Sequence, residues 1–567
     1  MIGGPRRGVG LAPLLVLFLL STSGSPSVPA VALLAGGGGE EAVRPLFRAE
    51  PIRGFTHDSG ATGERYIVET MGSGLAWVDF DRDGDLDLFL LDGGPIDPKE
   101  RDARAPRSRL LEAGPGGTWA DRTDDSGISI PDYGMGCAVG DVDGDGDDDL
   151  YVTCFGPDRL FLNEGGLKFR DATDEARLGD RGWGASAAFS DLDRDGDLDL
   201  VVTRYLDFTI ATHRVCSLGR EIPTYCSPSA YPGVVDLLYR NEGDGTFTEV
   251  GESAGLGKRV GKGLGVWIGD VDGDRSLDLY IANDGEENAL FLGNGDLTFR
   301  DHSLASGAGY NEDGRAEAGM GIASGDVDGD GTVDLLVTHL SSETHTLYRG
   351  EGQGFFRDAT TASGLSASTL VQTGFGAAFA DFDRDGVLDL VVANGHVIDN
   401  IGEFGDLFTY RQQDDFFLGD GSRFRSPAGW LESELASGVG RGLAVGDADG
   451  DGDLDWLVSQ VDGPAVLYRN LSSATERWLG IRLSEKGVGA AVTGALVTVT
   501  PLTGDSKTQM LTAGGSYLTG QAPFLYFGLR DSEGAVRVDI DWPDGQRTTR
   551  ENVIPGRWLD LIAPERP

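Results

Sequence analysis

Apolar and polar positions come in short bursts along most of the chain, and the bursts keep a fixed order. A run rich in Gly, Ala and Val opens each set, as at Gly263 to Ile268 or Gly374 to Ala380. An aspartate-dense loop follows. Next comes an apolar run, as at Leu150 to Thr153, Leu200 to Thr203, Leu335 to Thr338 and Leu390 to Ala393. A third run follows, as at Leu160-Phe161-Leu162-Asn163 or Leu347-Tyr348-Arg349. A Gly-rich turn then leads to a fourth, Phe169-Arg170-Asp171-Ala172-Thr173 or Phe356-Arg357-Asp358-Ala359-Thr360. Apolar runs this short, bounded by turn residues, read as strands. Four short strands per unit, repeated along a chain, predict propeller blades. The expected fold is all-β, a seven-bladed β-propeller with a small β-sandwich after it.

The loop that joins the first two strands recurs seven times. The copies are DFDRDGDLD from Asp79, DVDGDGDDD from Asp141, DLDRDGDLD from Asp191 and DVDGDRSLD from Asp270. DVDGDGTVD from Asp326, DFDRDGVLD from Asp381 and DADGDGDLD from Asp447 complete the set. The seventh unit lacks its Phe-x-Asp strand. A similar stretch, Phe55-Thr56-His57-Asp58-Ser59-Gly60, stands before the first unit. The N-terminal strand is therefore expected to complete the last blade, which removes an open sheet edge.

Alternating aspartates point to a hard divalent cation, which takes six to eight oxygens. Positions 1, 3 and 5 would fold carboxylates around one point, glycine at 6 would permit the turn, position 7 would offer its carbonyl, and Asp at 9 would close the cage. The expected ligands are Asp79, Asp81, Asp83, Asp85 and Asp87; Asp141, Asp143, Asp145, Asp147 and Asp149; and Asp191, Asp193, Asp195, Asp197 and Asp199. Next come Asp270, Asp272, Asp274, Ser276 and Asp278; Asp326, Asp328, Asp330, Thr332 and Asp334; Asp381, Asp383, Asp385, Val387 and Asp389; and Asp447, Asp449, Asp451, Asp453 and Asp455. Calcium suits this donor set better than magnesium, which keeps waters, or zinc, which wants His or Cys. Up to seven Ca²⁺ ions are expected. The fourth site is the doubtful one, because Arg275 replaces glycine where a left-handed backbone is needed.

The order of strand, DxDxDGxxD loop and strand resembles the FG-GAP/VCBS repeats of integrin α-type propellers, over residues 44–470. Beyond it, alternating runs at Leu479 to Leu483, Val492 to Val499, Phe524 to Phe527 and Val536 to Ile540 predict the sandwich, over 474–563. Its Arg477-Trp478-Leu479, Gly514 to Tyr517, Phe527-Gly528-Leu529 and Trp542-Pro543-Asp544-Gly545 resemble the ASPIC/UnbV domain. The combination is similar to the cartilage acidic protein 1 family and its bacterial relatives, without the EGF-like module of vertebrate members. Tyr225-Cys226-Ser227-Pro228 and Asn394-Gly395-His396-Val397 look like that family too.

Two units carry insertions, 204–235 and 395–413. Their aromatic and basic residues are expected to face a ligand: Tyr205, Tyr225, Tyr231, His396, Tyr410 and Arg411. Both insertions leave a blade at the same place and should emerge on one face. Cys216 and Cys226, within one insertion, are expected to pair. Cys137 and Cys154 flank an aspartate loop and read either as a second pair or as buried thiols.

Composition then narrows the function. The 567 residues hold 47 Lys plus Arg against 92 Asp plus Glu, a net charge of -45. That excludes binding to nucleic-acid phosphates and disfavours an anionic membrane surface. With 40% hydrophobic residues the acid is not a mark of disorder. Arg6 and Arg7, the apolar run Val9 to Leu20 and Ala30-Val31-Ala32 form a signal peptide over residues 1–32. The run is shorter than the ~20 residues a bilayer span needs. Secretion to the extracellular space, periplasm or cell surface is expected, as a monomer not inserted in the membrane. HExxH, GxSxG and Walker motifs are missing, and no catalytic residue stands out. The favoured reading is a secreted calcium-binding recognition or adhesion protein with a protein or glycan ligand. The alternatives are a propeller polysaccharide lyase or hydrolase, and an accessory protein of enediyne-type secondary-metabolite biosynthesis.

Overall fold

The computed structural model describes residues 46–101, 108–218, 222–432, 437–472, 477–484, 492–529 and 534–565. The expected signal peptide, residues 1–32, lies outside the described residues. The strands group into seven four-stranded antiparallel units. Unit 2 is representative: Tyr133–Gly140, Asp149–Pro157, Arg159–Asn163 and Phe169–Asp171 pair in chain order. Units 3 to 6 repeat this pattern from Arg181–Ser190, Gly263–Gly269, Ile322–Gly325 and Gly374–Ala380. Unit 1 starts at Leu75–Val78 and unit 7 at Gly440–Gly446.

Apolar side chains on both faces of each sheet explain the ring. Seven clusters lie between neighbouring units, since inner strands such as Gly263–Gly269 and Asp455–Gln460 are buried on both sides. Leu150, Val152 and Phe161 of unit 2 meet Ala76, Val78 and Phe89 of unit 1. On its other face, Tyr151 and Leu160 meet Leu200, Val202 and Tyr239 of unit 3. The series closes where Leu457 and Leu467 of unit 7 pack on Leu75, Trp77 and Leu88 of unit 1.

The N-terminal segment does complete unit 7, but with a different strand from the one expected. Phe47–Pro51 pairs antiparallel with Val466–Asn470, Phe47 opposite Asn470. The Phe55 to Gly60 stretch forms no strand. Phe47-Arg48 matches the Phe-Arg pair of the outer strands of units 2, 4, 5 and 6. Its fully buried ring has Phe382, Phe416, Trp430 and Trp456 edge-on around it. Phe55 instead packs beneath unit 7 against the unit 1 core.

The C-terminal domain is a sandwich of a three-stranded and a four-stranded sheet. They share a core of Leu479, Ile481, Val497, Val538, Ile540 and Trp542. Residues 513–521 leave this sandwich and run into the propeller axis. Ala513–Gly514 pairs with Trp267 and Ile268 of unit 4, and Thr519–Gln521 runs parallel to Leu75–Trp77 of unit 1. Between them Ser516 donates its backbone N–H to Ile322 O of unit 5 at 2.6 Å, and Leu518 N–H donates to Ser186 Oγ of unit 3 at 3.0 Å. Leu443 N–H of unit 7 donates to Thr519 Oγ1 at 3.1 Å. The Tyr517 ring lies 5.0 Å from that of Phe375 in unit 6. A Cβ on Gly136 of unit 2 would come within 3.0 Å of Leu518 Cα. One segment thus touches all seven inner strands, and Tyr517 and Leu518 are fully buried.

Candidate metal centres and the insertion face

The seven aspartate loops fold alike. The position 5 carboxylate accepts the position 7 N–H in every copy, from Asp83 with Asp85 at 3.0 Å to Asp451 with Asp453 at 3.0 Å. The position 9 carboxylate is pinned at both oxygens. In unit 2, Val142 N–H donates to Asp149 Oδ2 at 2.9 Å and Asn163 N–H to Oδ1 at 2.8 Å. The equivalent pair recurs at Asp87, Asp199, Asp278, Asp334, Asp389 and Asp455. Each position 9 aspartate therefore ties its loop to the third strand of its unit.

This folding gathers positions 1, 3 and 9. Carboxylate oxygens of Asp79, Asp81 and Asp87 lie within 4.8 Å of one another, as do those of Asp141, Asp143 and Asp149 and of Asp191, Asp193 and Asp199. Asp270, Asp272 and Asp278 make the same group, as do Asp326, Asp328 and Asp334. Position 5 side chains close the turn, and at position 7 Asp453 pairs with Arg384 and Asp147 with Arg82.

The fourth loop does not stand apart. Every loop holds two left-handed residues, at positions 4 and 6, and arginine occupies one of them in four copies: Arg82, Arg194, Arg275 and Arg384. Arg275 has φ 76°, and its N–H donates to Asp270 Oδ2 at 2.8 Å as Gly386 N–H does to Asp381 Oδ2. The doubt raised by its sequence comes from reading only position 6 as left-handed.

Burial dominates the electrostatics. It pushes Asp149, Asp199 and Asp278 up to about 8, against their backbone hydrogen bonds and with added repulsion from loop neighbours. Asp87 and Asp334 rise to about 7 for the same reason. Asp141 Oδ2 and Asp381 Oδ1 are buried with no hydrogen-bond partner among the described residues. Clustered, desolvated, oxygen-only donors fit a hard divalent cation.

The other end of the propeller carries the insertions, because they join second strands to third strands whereas the aspartate loops join first to second. The two meet there: Asn400 Nδ2 donates to Pro223 O at 3.1 Å. Cys216 and Cys226 are disulfide-bonded, and Cys137 and Cys154 are buried thiols not joined by a disulfide. The expected ligand residues divide. Tyr205, Tyr231 and His396 are 1%, 4% and 5% exposed. Tyr205 donates its hydroxyl to Asp284 at 2.5 Å, Tyr231 accepts from Arg214 N–H at 3.2 Å, and His396 lies 3.2 Å from Ser341 Oγ. These three belong to the propeller interior. Tyr225 and Tyr410 are half-buried and Arg411 is exposed.

Beside them stand residues whose role the sequence did not reveal. Tyr225 donates to Glu69 Oε2 at 2.8 Å, Arg65 pairs with Asp399 at 3.3 Å, and the Tyr66 ring lies tilted against that of His213 with centroids 4.6 Å apart. Burial pushes Glu69 up to about 7, against the lowering effect of the Tyr225 hydroxyl.

Residues 141–202, 270–337 and 326–392 match the FG-GAP-like repeat, and residues 486–566 match ASPIC and UnbV. Cartilage acidic protein 1 of Homo sapiens is 29% identical over 327 residues, 56% of this chain and 46% of that protein. The Mus musculus protein is 28% identical over 310 residues, 53% of this chain and 45% of its own. The chain thus spans under half the length of these relatives. Among solved structures, YCF48 bound to D1 peptide aligns at TM-score 0.39 and 9% identity, covering 76% of this chain and 97% of that one. A structure concerning recognition of non-reducing terminal N-acetylglucosamine by an Agrocybe aegerita protein aligns at TM-score 0.37 and 17% identity, covering 69% and 93%. The chain is an FG-GAP-repeat propeller carrying an ASPIC/UnbV domain, homologous to cartilage acidic protein 1.

Proposed function

We propose that this protein is a calcium-binding recognition protein that works outside the cell, with a protein or glycan held at the insertion end. The carrying observation is the seven-fold recurrence of one carboxylate loop with the same backbone bonds. Each loop would hold its cation through the position 1, 3 and 9 carboxylates. The bound ion would supply the positive charge that these desolvated groups lack.

At the insertion end, Tyr225 on the disulfide-braced insertion and Tyr410 and Arg411 on its neighbour offer two aromatic faces and a cation, which suits recognition with little ordering cost. Homology to cartilage acidic protein 1, the disulfide and the N-terminal export pattern support an extracellular setting. Among the described residues, no helix is long and apolar enough to cross a membrane.

Metal analysis of purified protein, followed by glycan and protein arrays probed with and without calcium, tests the reading. Protein free of calcium, or a captured ligand retained after both insertions are replaced by Gly-Ser turns, would overturn it.

A further inference from the structure

Acids outnumber bases nearly two to one in this chain, yet one surface cavity has a wholly cationic and neutral lining. It lies between the outer edges of units 5 and 6, with a volume of about 250 Å³. Arg349, Arg357 and Arg423 line it together with Ser363, Ser422 and two alanines, and no carboxylate takes part.

Three elements bring the arginines together. Arg349 sits on Thr346–Gly352, the third strand of unit 5. One of its nitrogens pairs with Asp328, and Nη2 donates to Ser422 O across the unit boundary at 3.1 Å. Its position is therefore fixed from two sides. Arg357 lies on the outermost strand, Phe355–Asp358, and spends only Nε on the exposed Glu351, at 3.1 Å. Arg423 precedes the outermost strand of unit 6, Phe424–Arg425. It makes no ion pair within 4.0 Å among the described residues. The serine hydroxyls donate inward, Ser422 to Asp420 and Ser363 to Thr360 O. The guanidinium groups are thus the donors left to face the cavity.

Asp328 meets the charge of Arg349 and the exposed Glu351 that of Arg357, while Asp420 is the acid that acts on Arg423 without forming an ion pair; the lining itself holds no carboxylate to compete with an anion for the remaining guanidinium N–H groups. A guanidinium presents a planar fork that matches the oxygens of a tetrahedral oxyanion. Ala359 and Ala362 leave room for the group that carries the anion. We propose that this cavity binds a sulfate or phosphate group, free or as the ester of a larger ligand. Arg357 and Arg423 would grip it, and Arg349 would position them electrostatically. The site goes beyond the recognition reading above, since it lies at the sheet edges rather than at the insertion end.

The test uses the full chain in saturating calcium and titrates inorganic sulfate, inorganic phosphate, a sulfated disaccharide and its unsulfated parent. Saturable binding of at least one anion is expected. The double variant Arg357→Gln and Arg423→Gln should lower that affinity at least tenfold with an unchanged melting temperature, because both side chains are exposed. Tighter binding of the sulfated sugar than of sulfate would identify an ester ligand, and the reverse a free anion. Replacing both insertions should leave anion binding intact, which separates this site from the insertion face. Absence of saturable binding, equal binding of the unsulfated sugar, or full affinity in the double variant would overturn the proposal.

Discussion

Single residues set the behaviour of the aspartate loops. A position 9 aspartate accepts two buried backbone N–H groups besides facing the cation point. Leaving a buried donor unmade costs about 1–3 kcal/mol. Asp278→Ala and Asp149→Ala should therefore each destabilise by several kcal/mol and by similar amounts, despite Arg275. Calorimetric scans of both in saturating calcium check this, and a much smaller loss at Asp278 would show that the fourth loop is weak after all. Glu69 gives a pH signature. Its carboxyl is held near 7 in the folded chain against an ordinary value of 4.5. Between those values the folded state keeps a proton that the unfolded state has lost, so this group makes stability fall as pH rises through the window. Glu69→Gln should flatten that part of the stability profile relative to the parent protein, measured by denaturant melts from pH 4.5 to 7.5.

Among the elements, the axial segment 513–521 makes a strict local demand at one glycine. Gly514 has φ 69°, and a Cβ there would lie 2.5 Å from Val266 O, which is backbone and has nowhere to go. Gly273, in the fourth aspartate loop, is also left-handed at φ 80°, but a Cβ there would meet nothing within 4 Å. Gly273→Ala should then cost about 1 kcal/mol, the conformational term alone. Gly514→Ala should cost distinctly more, since steric displacement of a strand is added. Thermal melts of the two variants compare them directly, and equal losses would show that the segment shifts freely in the channel.

For the molecule as a whole, the C-terminal domain and the aspartate loops are mechanically joined. Tyr526 donates to Gly452 O in the seventh loop at 2.7 Å, Trp478 stacks on Tyr526, and Gly528 leaves no space for a Cβ beside Asp381. Arg384 of the sixth loop pairs with Asp453 of the seventh beneath this contact. Chelation of the proposed cations should lower the melting temperature, since ligands selective for the folded state stabilise it by about 2.7 kcal/mol each at a hundredfold excess over Kd. It should also change the fluorescence of Trp478 and Trp558 before the propeller melts. An unchanged melt and spectrum in chelator would argue against cation binding in these loops. A chain ending at residue 472 should melt lower than the full chain, because seven inner strands lose their common partner.

Much of this was legible in order along the chain. Strand and loop alternate with a local period, and each aspartate loop closes within nine residues, so sequence patterns such as DVDGDGDDD specify both the turn and its donors. The Cys216–Cys226 pair was readable for the same reason, its partners being ten residues apart. What escaped depends on contacts between distant parts. Phe47 rather than Phe55 completes unit 7, because the choice rests on which ring fills a pocket made by residues 382, 416, 430 and 456. Tyr205, Tyr231 and His396 look like surface anchors in the two insertions and are buried, because Tyr205 and Tyr231 pack into the cluster around Tyr517 and Leu518 and His396 packs beside Ser341. The path of residues 513–521 through the axis, and the meeting of Arg349 and Arg357 with Arg423 across two units, have no local pattern at all. Sequence alone determined the repeating unit and its donor set, since both are satisfied by neighbours in the chain. Only the tertiary structure decided what fills the ring and which side chains face solvent, since burial is a property of surfaces that the chain brings together from far apart.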